Sequence, residues 1–282
     1  TQQPLLAELS DRATRQALFE KSWNRSERGD ANDTRALAVK IADLRARKAK
    51  LLGADSYAAF QLQDQMAQNP ANAIGFLERL LPALATAQKR DAAELDQFIK
   101  ASGGKFSVTP ADWDYYAEKL RKKKFALDTN EVKPYLEINN VLENGVFFAA
   151  NQLYGLTFKE RKDIPVYHPD VRVFEVFDAD GSSLALWYCD YFARDNKHGG
   201  AWENTFVDQS GLLGTKPVVY NVTNFAKPAP GEAALLSYDD VSTMFHEFGH
   251  ALHEMLSNVQ YPSLAGTNTP RDFVEFPSQF NE

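Results

Sequence analysis

The feature that most constrains this chain is the stretch His246–His250, which reads His-Glu-Phe-Gly-His. Residues four apart on an α-helix are separated by about 40° around the axis and about 6 Å along it, so His246 and His250 can turn both imidazoles toward one ion. Paired imidazoles are typical ligands of Zn²⁺. Glu247, on the same helix, can reach a water on that ion and accept its proton. The stretch therefore predicts a zinc-binding helix that also carries a general base.

The surrounding sequence predicts that this helix has a defined start and a buried side. Ser237 can cap its first turn, and Asp240 follows three residues later, which is the spacing of a capping box. Apolar residues then recur at helical intervals at Val241, Met244, Phe245, Phe248 and Leu252. With five histidines among 282 residues, chance supplies roughly 0.01 matches to the pattern His-Glu-x-x-His. A hydrolytic metal site is therefore favoured over coincidence.

Two histidines and a water leave one position of a tetrahedral ion to fill. A third histidine ten residues after His246 would indicate the metzincin arrangement, but that position is Leu256. His253 lies about 10 Å beyond His246 along the axis, which favours a packed or supporting role over direct ligation. Polar side chains, three of them carboxylates, follow a loop at residues 261–270 at helical spacing, in the series Asp272, Glu275, Gln279 and Glu282. Pro277 predicts a kink or a new helix start within that series.

At this point the residues resemble a known family. The stretch from Gly266 to Gln279 contains Thr-Asn-Thr-Pro-Arg-Asp and Phe-Val-Glu-Phe-Pro-Ser-Gln, and with the histidine stretch it is similar to the thimet-oligopeptidase family of zinc peptidases. It is closest to the bacterial peptidyl-dipeptidase branch. The resemblance implies a gluzincin-type catalytic region in which Glu275 is the third zinc ligand and Glu247 the general base. It also implies short unstructured peptides as substrates, cleaved in a channel between two helical lobes to release C-terminal dipeptides.

The composition restricts the partners. The net charge of −7 argues against nucleic acid or an anionic membrane, since both favour dense basic patches. We also find no run of about 18 apolar residues and no basic segment followed by an apolar one at the start. The single cysteine, Cys189, lies in an apolar run and is expected to be buried rather than reactive. It fits a reducing compartment, for which we expect the cytoplasm, with the periplasm as the alternative.

The expected fold class is mainly α with a small antiparallel β-sheet. Residues 1–160 form the expected helical region, with helical patterns at residues 5–19, 37–51, 57–66, 73–99, from 109 and at 137–154. Pro82 predicts an interruption of the fourth of these helices. Residues 161–282 are expected to hold the sheet and the zinc-binding helices, as an incomplete catalytic domain. Alternating runs at residues 171–177 and 184–192 predict a β-hairpin, and residues 217–222 a third strand.

A free strand edge can hold an extended peptide through backbone hydrogen bonds. Gly200 and Ala201 are our candidates for substrate binding at such an edge, because small residues let a peptide backbone approach. A flexible surface loop is the alternative interpretation of the same residues. Each of His168 and His198 is isolated, and we expect structural or surface roles for both.

Two functions of other classes remain open from the sequence: a catalytically silent peptide-binding module with a structural zinc, and a helical interaction scaffold without metal. The family resemblance begins at Thr1, and Glu282 follows Glu275 by only seven residues, so we expect an internal fragment of a longer protein. The family's oxyanion-stabilising tyrosine and histidine have no counterpart here. We therefore expect a feeble peptidase, with exposed apolar surface along Phe273, Phe276 and Phe280.

Overall fold

The computed structural model describes residues 3–126 and 129–282, and the chain forms two compact units, Thr1–Asp128 and Thr129–Glu282. The helices of the first unit are α1 (Gln3–Glu8), α2 (Arg12–Trp23), α3 (Arg35–Leu51), α4 (Tyr57–Leu62), α5 (Pro70–Ala101) and α6 (Pro110–Phe125). The division expected near residue 160 falls inside the second unit. The helical residues before position 160 belong to this unit because Leu142, Val146 and Ala150 pack in the core cluster of the sheet.

Helix α6 is held to the start of the first unit by a buried ion-pair cluster. Asp112, fully buried near the start of α6, accepts hydrogen bonds from Arg12 (2.9 Å) and Arg15 (3.0 Å) on α2. The Thr109 hydroxyl donates to the same carboxylate at 2.6 Å. Removing any one partner would leave a buried charge less compensated, so this cluster fixes how α2 meets α6.

The predicted interruption at Pro82 is wrong, because α5 runs through it as one helix of 32 residues. A proline in a helix removes one N–H donor and leaves the carbonyl four residues earlier without its usual partner. The flanking Leu81 and Leu84 are exposed, so water can reach this part of the helix and solvate the unpaired carbonyl.

The second unit contains a sheet, with helices that precede and follow its strands along the chain. Its first helical part is α7 (Thr129–Val132), a 3₁₀ turn (Lys133–Tyr135), α8 (Ile138–Val141), a π-helical segment (Leu142–Phe147) and α9 (Phe148–Tyr154). Gly155 ends this stretch with a left-handed φ of +74°, directly after the helical pattern expected at residues 137–154. The strands are β1 (Thr157–Glu160), β2 (Arg172–Phe177), β3 (Ser183–Phe192), β4 (Trp202–Val207) and β5 (Val218–Phe225). The last elements are α10 (Tyr238–Met255), a 3₁₀ turn (Pro262–Leu264) and α11 (Glu275–Asn281).

The five strands form one sheet in the order β1-β2-β3-β5-β4. The predicted hairpin is confirmed as the antiparallel pair β2 and β3, but the expectation of a purely antiparallel sheet is wrong. Strands β3 and β5 pair in parallel, since the chain first crosses over to form β4 and then returns between β3 and β4. Strand β4 is consequently an edge strand, and no described strand pairs with its outer side.

Helix α10 packs on this sheet through a tightly buried core. Phe248 on α10 lies 4.9 Å, between ring centroids, from Trp187 on β3, and both side chains are almost fully buried. The Trp187 indole donates to the Asn221 side-chain oxygen at 2.6 Å. The Asn221 amide in turn donates to the Glu247 carbonyl oxygen at 2.7 Å, which fixes the helix at that residue. Cys189 is buried in the same core, as expected.

None of the helices in residues 3–126 and 129–282 is both long and apolar enough to cross a membrane.

Candidate metal centre

Helix α10 begins as the sequence predicts. The Ser237 hydroxyl accepts the Asp240 N–H at 3.1 Å, and the Asp240 carboxylate accepts the Ser237 N–H at 2.9 Å, which completes the capping box. The motif therefore lies in the middle of an 18-residue helix. His246 and His250 follow one another by about one turn on it, with ring centroids 5.0 Å apart.

Helix α11 lies against α10 at an unusually close contact around Gly249. A Cβ added to Gly249 would lie 2.6 Å from the Ser278 Cα and 2.9 Å from the Pro277 carbonyl oxygen. Only glycine leaves room for the second backbone here. Pro277 lies in the first turn of α11, which starts at Glu275, so its missing N–H costs nothing there.

This contact brings the Glu275 carboxylate to both histidines. Its Oε2 lies 3.2 Å from His246 Nε2 and 3.0 Å from His250 Nε2. One ligand atom from each residue falls in a group no wider than 4.8 Å. Bonds of 2.0 to 2.2 Å to a tetrahedral Zn²⁺ separate ligand atoms by about 3.4 Å, so the donor set and its spacing fit such an ion. No other trio of candidate ligands stands out in the part of the chain that the structure describes.

Local contacts favour the metal-binding forms of Glu275 and His250. The Ser278 hydroxyl donates to Glu275 Oε2 at 3.0 Å. Burial opposes ionisation of Glu275, but this hydrogen bond and the two histidines outweigh it and hold the pKa of its carboxyl below the usual value. Burial lowers the pKa of His250, which favours the neutral imidazole that can donate its lone pair.

The ring nitrogen of His246 that faces away from Glu275 contacts the carboxylate of Glu282. This nitrogen, Nδ1, lies 3.1 Å from Glu282 Oε2, and Ser242 donates to the other oxygen of Glu282 at 3.1 Å. Since a carboxylate only accepts, Nδ1 donates to Glu282, and Nε2 is the ring nitrogen that can bind a metal. The corresponding Nδ1 of His250 is buried and has no hydrogen-bond partner among the described residues.

Glu247 faces the same region. It is 6% exposed, and its Oε2 is buried without a hydrogen-bond partner within the described ranges. Burial raises the pKa of Glu247 to about 7; His246 opposes this shift and the charge of Glu275 adds to it. A carboxylate with a pKa near neutrality is suited to accept and return a proton.

A cavity of about 630 Å³ opens beside these residues. Gly200, Ala201 and Asn224 line it together with His246 and Glu247. Gly200 has a φ of +96°, and a Cβ added there would meet nothing within 4 Å. The structure thus brings the two predicted substrate-binding residues to the same cavity as the motif, next to the start of the edge strand β4.

The remaining candidates lie outside the ligand group. His253 packs edge-on against Phe273 at 6.3 Å between ring centroids, consistent with a packed role. Asp272 lies in the turn before α11, so the carboxylate series does not form one helical stripe as expected. The His168 Nδ1 accepts the Asp170 N–H at 3.2 Å, which is a local structural contact.

Sequence reasoning missed the residues that join the elements. Gly249, Ser278 and Asn221 belong to no sequence pattern that predicts a role. Their roles depend on which element each faces, and no pattern along the chain reveals that. The helical spacing that places Glu282 in one series with Glu275 does not identify His246 as its partner.

Comparison with known proteins agrees with this geometry. The model of peptidase family M3 matches residues 5–282, so the chain belongs to that family and the resemblance found in the sequence is confirmed. The chain is 55% identical over its whole length to the dipeptidyl carboxypeptidase of Escherichia coli, and 54% identical to that of Salmonella typhimurium. It is 36% identical, over 99% of its length, to oligopeptidase A of Escherichia coli. It covers 41% of the first of these relatives and 42% of the other two, so it spans about two fifths of their length.

Proposed function

We propose that this chain carries the zinc centre of a peptidase, with His246, His250 and Glu275 as ligands and Glu247 as general base. The observation that carries the proposal is the convergence of three ligand atoms within 4.8 Å of one another, next to Glu247, whose buried Oε2 has no hydrogen-bond partner among the described residues. Membership of peptidase family M3 supports the same chemistry. A structural zinc site would normally be closed by a fourth protein ligand, whereas this group has three.

Each residue of the site has a role that follows from its position. A bound Zn²⁺ supplies Lewis acidity and makes water a stronger acid. Glu247 accepts the proton of the attacking water and passes it to the leaving amine. Burial raises the pKa of its carboxyl, which favours holding the proton between the two steps. Glu282 holds the ring of His246, and Ser278 holds the carboxylate of Glu275, so both ligands are oriented in advance.

For the substrate we propose short peptides bound in extended form along the outer edge of β4. Gly200 and Ala201 precede this strand and line the cavity beside Glu247. Backbone pairing at a strand edge suits substrates of varied sequence. Release of C-terminal dipeptides is supported by the names of the two most similar relatives reported above, both dipeptidyl carboxypeptidases.

The test is turnover of a short blocked peptide by the zinc-loaded chain, with and without a chelator. We expect hydrolysis that chelation abolishes and added zinc restores. Glu247→Gln should keep its zinc and lose turnover, whereas Glu275→Ala should lose zinc affinity because a ligand is gone. Zinc content is measured by elemental analysis after gel filtration.

Two results would contradict the proposal. Stoichiometric zinc with no turnover would indicate a silent peptide binder, and absence of bound zinc from the chain in zinc-containing buffer would indicate a scaffold. If Glu247→Gln lost its zinc while Glu275→Ala retained it, the assigned roles would have to be exchanged.

A further inference from the structure

The segment that precedes the proposed peptide edge crosses over another strand. Because β3 and β4 lie on opposite sides of β5, residues 193–201 must pass over the end of β5 to connect them. The crossing begins where the Ala193 N–H donates to the Phe225 carbonyl oxygen at 3.0 Å. It ends with Gly199 and Gly200, where an added Cβ would meet nothing within 4 Å. A long glycine-containing crossing of this kind is mobile unless specific contacts hold it.

The base of the crossing is anchored by a buried carboxylate. Asp190, only 1% exposed, accepts two hydrogen bonds from the Arg194 guanidinium, at 2.6 and 2.7 Å. Lys197 adds a third at 2.9 Å and also donates to the carbonyl oxygens of Asp190 and Phe192. Burial alone would raise the pKa of Asp190, but the hydrogen bonds from Arg194, Lys197 and Tyr167 lower it to about 2, so the anchor is charged.

The far end of the crossing is held by one side chain, that of Asn224 on β5. Its amide nitrogen donates to the His198 carbonyl oxygen and to the Gly200 carbonyl oxygen, both at 2.7 Å. Asn224 also lines the cavity that contains His246 and Glu247. A single amide therefore ties down both sides of the Gly199 peptide, at the point where the chain turns into β4.

We propose that Asn224 is a positioning residue for peptide binding. By occupying the carbonyl groups of His198 and Gly200, it fixes the backbone of residues 198–201 in the one arrangement that continues the outer edge of β4 to the cavity. An extended peptide then binds to a backbone that is already ordered. If peptide binding had to order this segment, the entropy cost would weaken the affinity for the peptide. This inference rests on the proposed function, since it concerns how the same site holds its substrate.

The first test compares kinetics of variants of the zinc-loaded chain on a blocked hexapeptide. Asn224→Asp keeps the shape of the side chain but replaces its donors by acceptors, and Asn224→Ala removes the donors without adding charge. Each should raise KM about tenfold, the effect of about 1.4 kcal/mol of binding free energy, while kcat changes less than threefold. Agreement between the two variants excludes an effect of the added charge on Glu247.

Matched controls are Asn144→Asp and Asn144→Ala, at an exposed asparagine whose amide donates to the Asn140 side-chain oxygen at 2.9 Å. They should leave KM unchanged. Zinc content and melting temperature should be the same for all four variants. A fall in kcat and melting temperature at an unchanged KM would show that Asn224 is merely structural, and unchanged kinetics in both Asn224 variants would overturn the proposal.

A second test does not depend on turnover. Amide hydrogen exchange of residues 198–205 is measured with and without saturating blocked hexa-alanine peptide. We expect peptide-induced protection in the unaltered chain, faster exchange without peptide in Asn224→Ala, and at least tenfold weaker peptide protection there. Turnover without protection at these residues would sink this inference and the proposed binding edge on β4, and leave the proposed zinc centre and general base intact. Protection that Asn224→Ala weakens, in a chain without turnover, would support the inference while the catalytic proposal fails.

Discussion

Replacing Gly249 by alanine tests whether the close contact between α10 and α11 sets the metal site. The added Cβ would lie 2.6 Å from the Ser278 Cα, about 0.8 Å short of the 3.4 Å at which ordinary contact begins. The Pro277 carbonyl oxygen and the Asn281 Cβ, both at 2.9 Å, block the neighbouring directions. All three atoms belong to α11, so that helix must move away from α10. Glu275, at the start of α11, must move with it.

The displacement is large compared with what a zinc site tolerates. Ligand distances are usually held within about 0.2 Å of their ideal values, so a shift of several tenths of an ångström weakens or breaks the Glu275 bond. We expect zinc affinity to fall by about 10- to 100-fold in Gly249→Ala. Overpacking of this kind costs about 1 to 3 kcal/mol, which exceeds the roughly 1 kcal/mol that alanine gains over glycine in a helix.

The measurements are zinc affinity by competition with a chromophoric chelator, and the free energy of unfolding in urea without metal. Gly75→Ala, in helix α5, is the matched control, because a Cβ there meets nothing within 4 Å. It should stabilise the chain by up to about 1 kcal/mol and leave zinc affinity unchanged. If Gly249→Ala behaved like this control, the two helices would not be in the contact described, and the reasoning about Glu275 would fail.

Two further predictions concern carboxylates near the site. Glu282→Ala should weaken zinc binding by about 10- to 100-fold, because His246 loses the acceptor that orients its ring; unchanged affinity would show that this contact is incidental. Burial, and then the charge of Glu254, raises the pKa of Glu203 to about 8 from an ordinary value of 4.5. The folded chain therefore binds more protons than the unfolded chain between these values, so stability contributed by this group is lost as pH rises through about 8. Glu203→Gln should lose less unfolding free energy than the unaltered chain between pH 5 and 9, and an identical loss would contradict the assignment.

Local chemistry along the chain was predictable where it depends on neighbours in sequence. The capping box at Ser237, the helix end at Gly155 and the β2–β3 hairpin all follow from short-range rules, and each is present. The histidine pair was predictable for the same reason, because a helix fixes the geometry of residues four apart. Glu275 was singled out only through the family resemblance.

Features that depend on contacts between distant elements were not predictable. Strand β4 lacks a clear alternation because it is an edge strand with most side chains partly or fully exposed, and its insertion beyond β5 makes the sheet mixed. Likewise, the role of Gly249 depends on the backbone of α11, and that of Asn224 on a crossing segment some 25 residues earlier in the chain. Neither partner is marked by spacing or composition.

The central claim is tested most directly by anomalous X-ray diffraction at the zinc absorption edge, from crystals of the zinc-loaded chain. The account predicts one strong peak, about 2.0 to 2.2 Å from His246 Nε2, His250 Nε2 and a Glu275 carboxylate oxygen, with Glu247 outside bonding distance. A peak ligated by His253 or Asp272 in place of Glu275 would contradict it. So would a crystal grown in zinc in which the three side chains point apart.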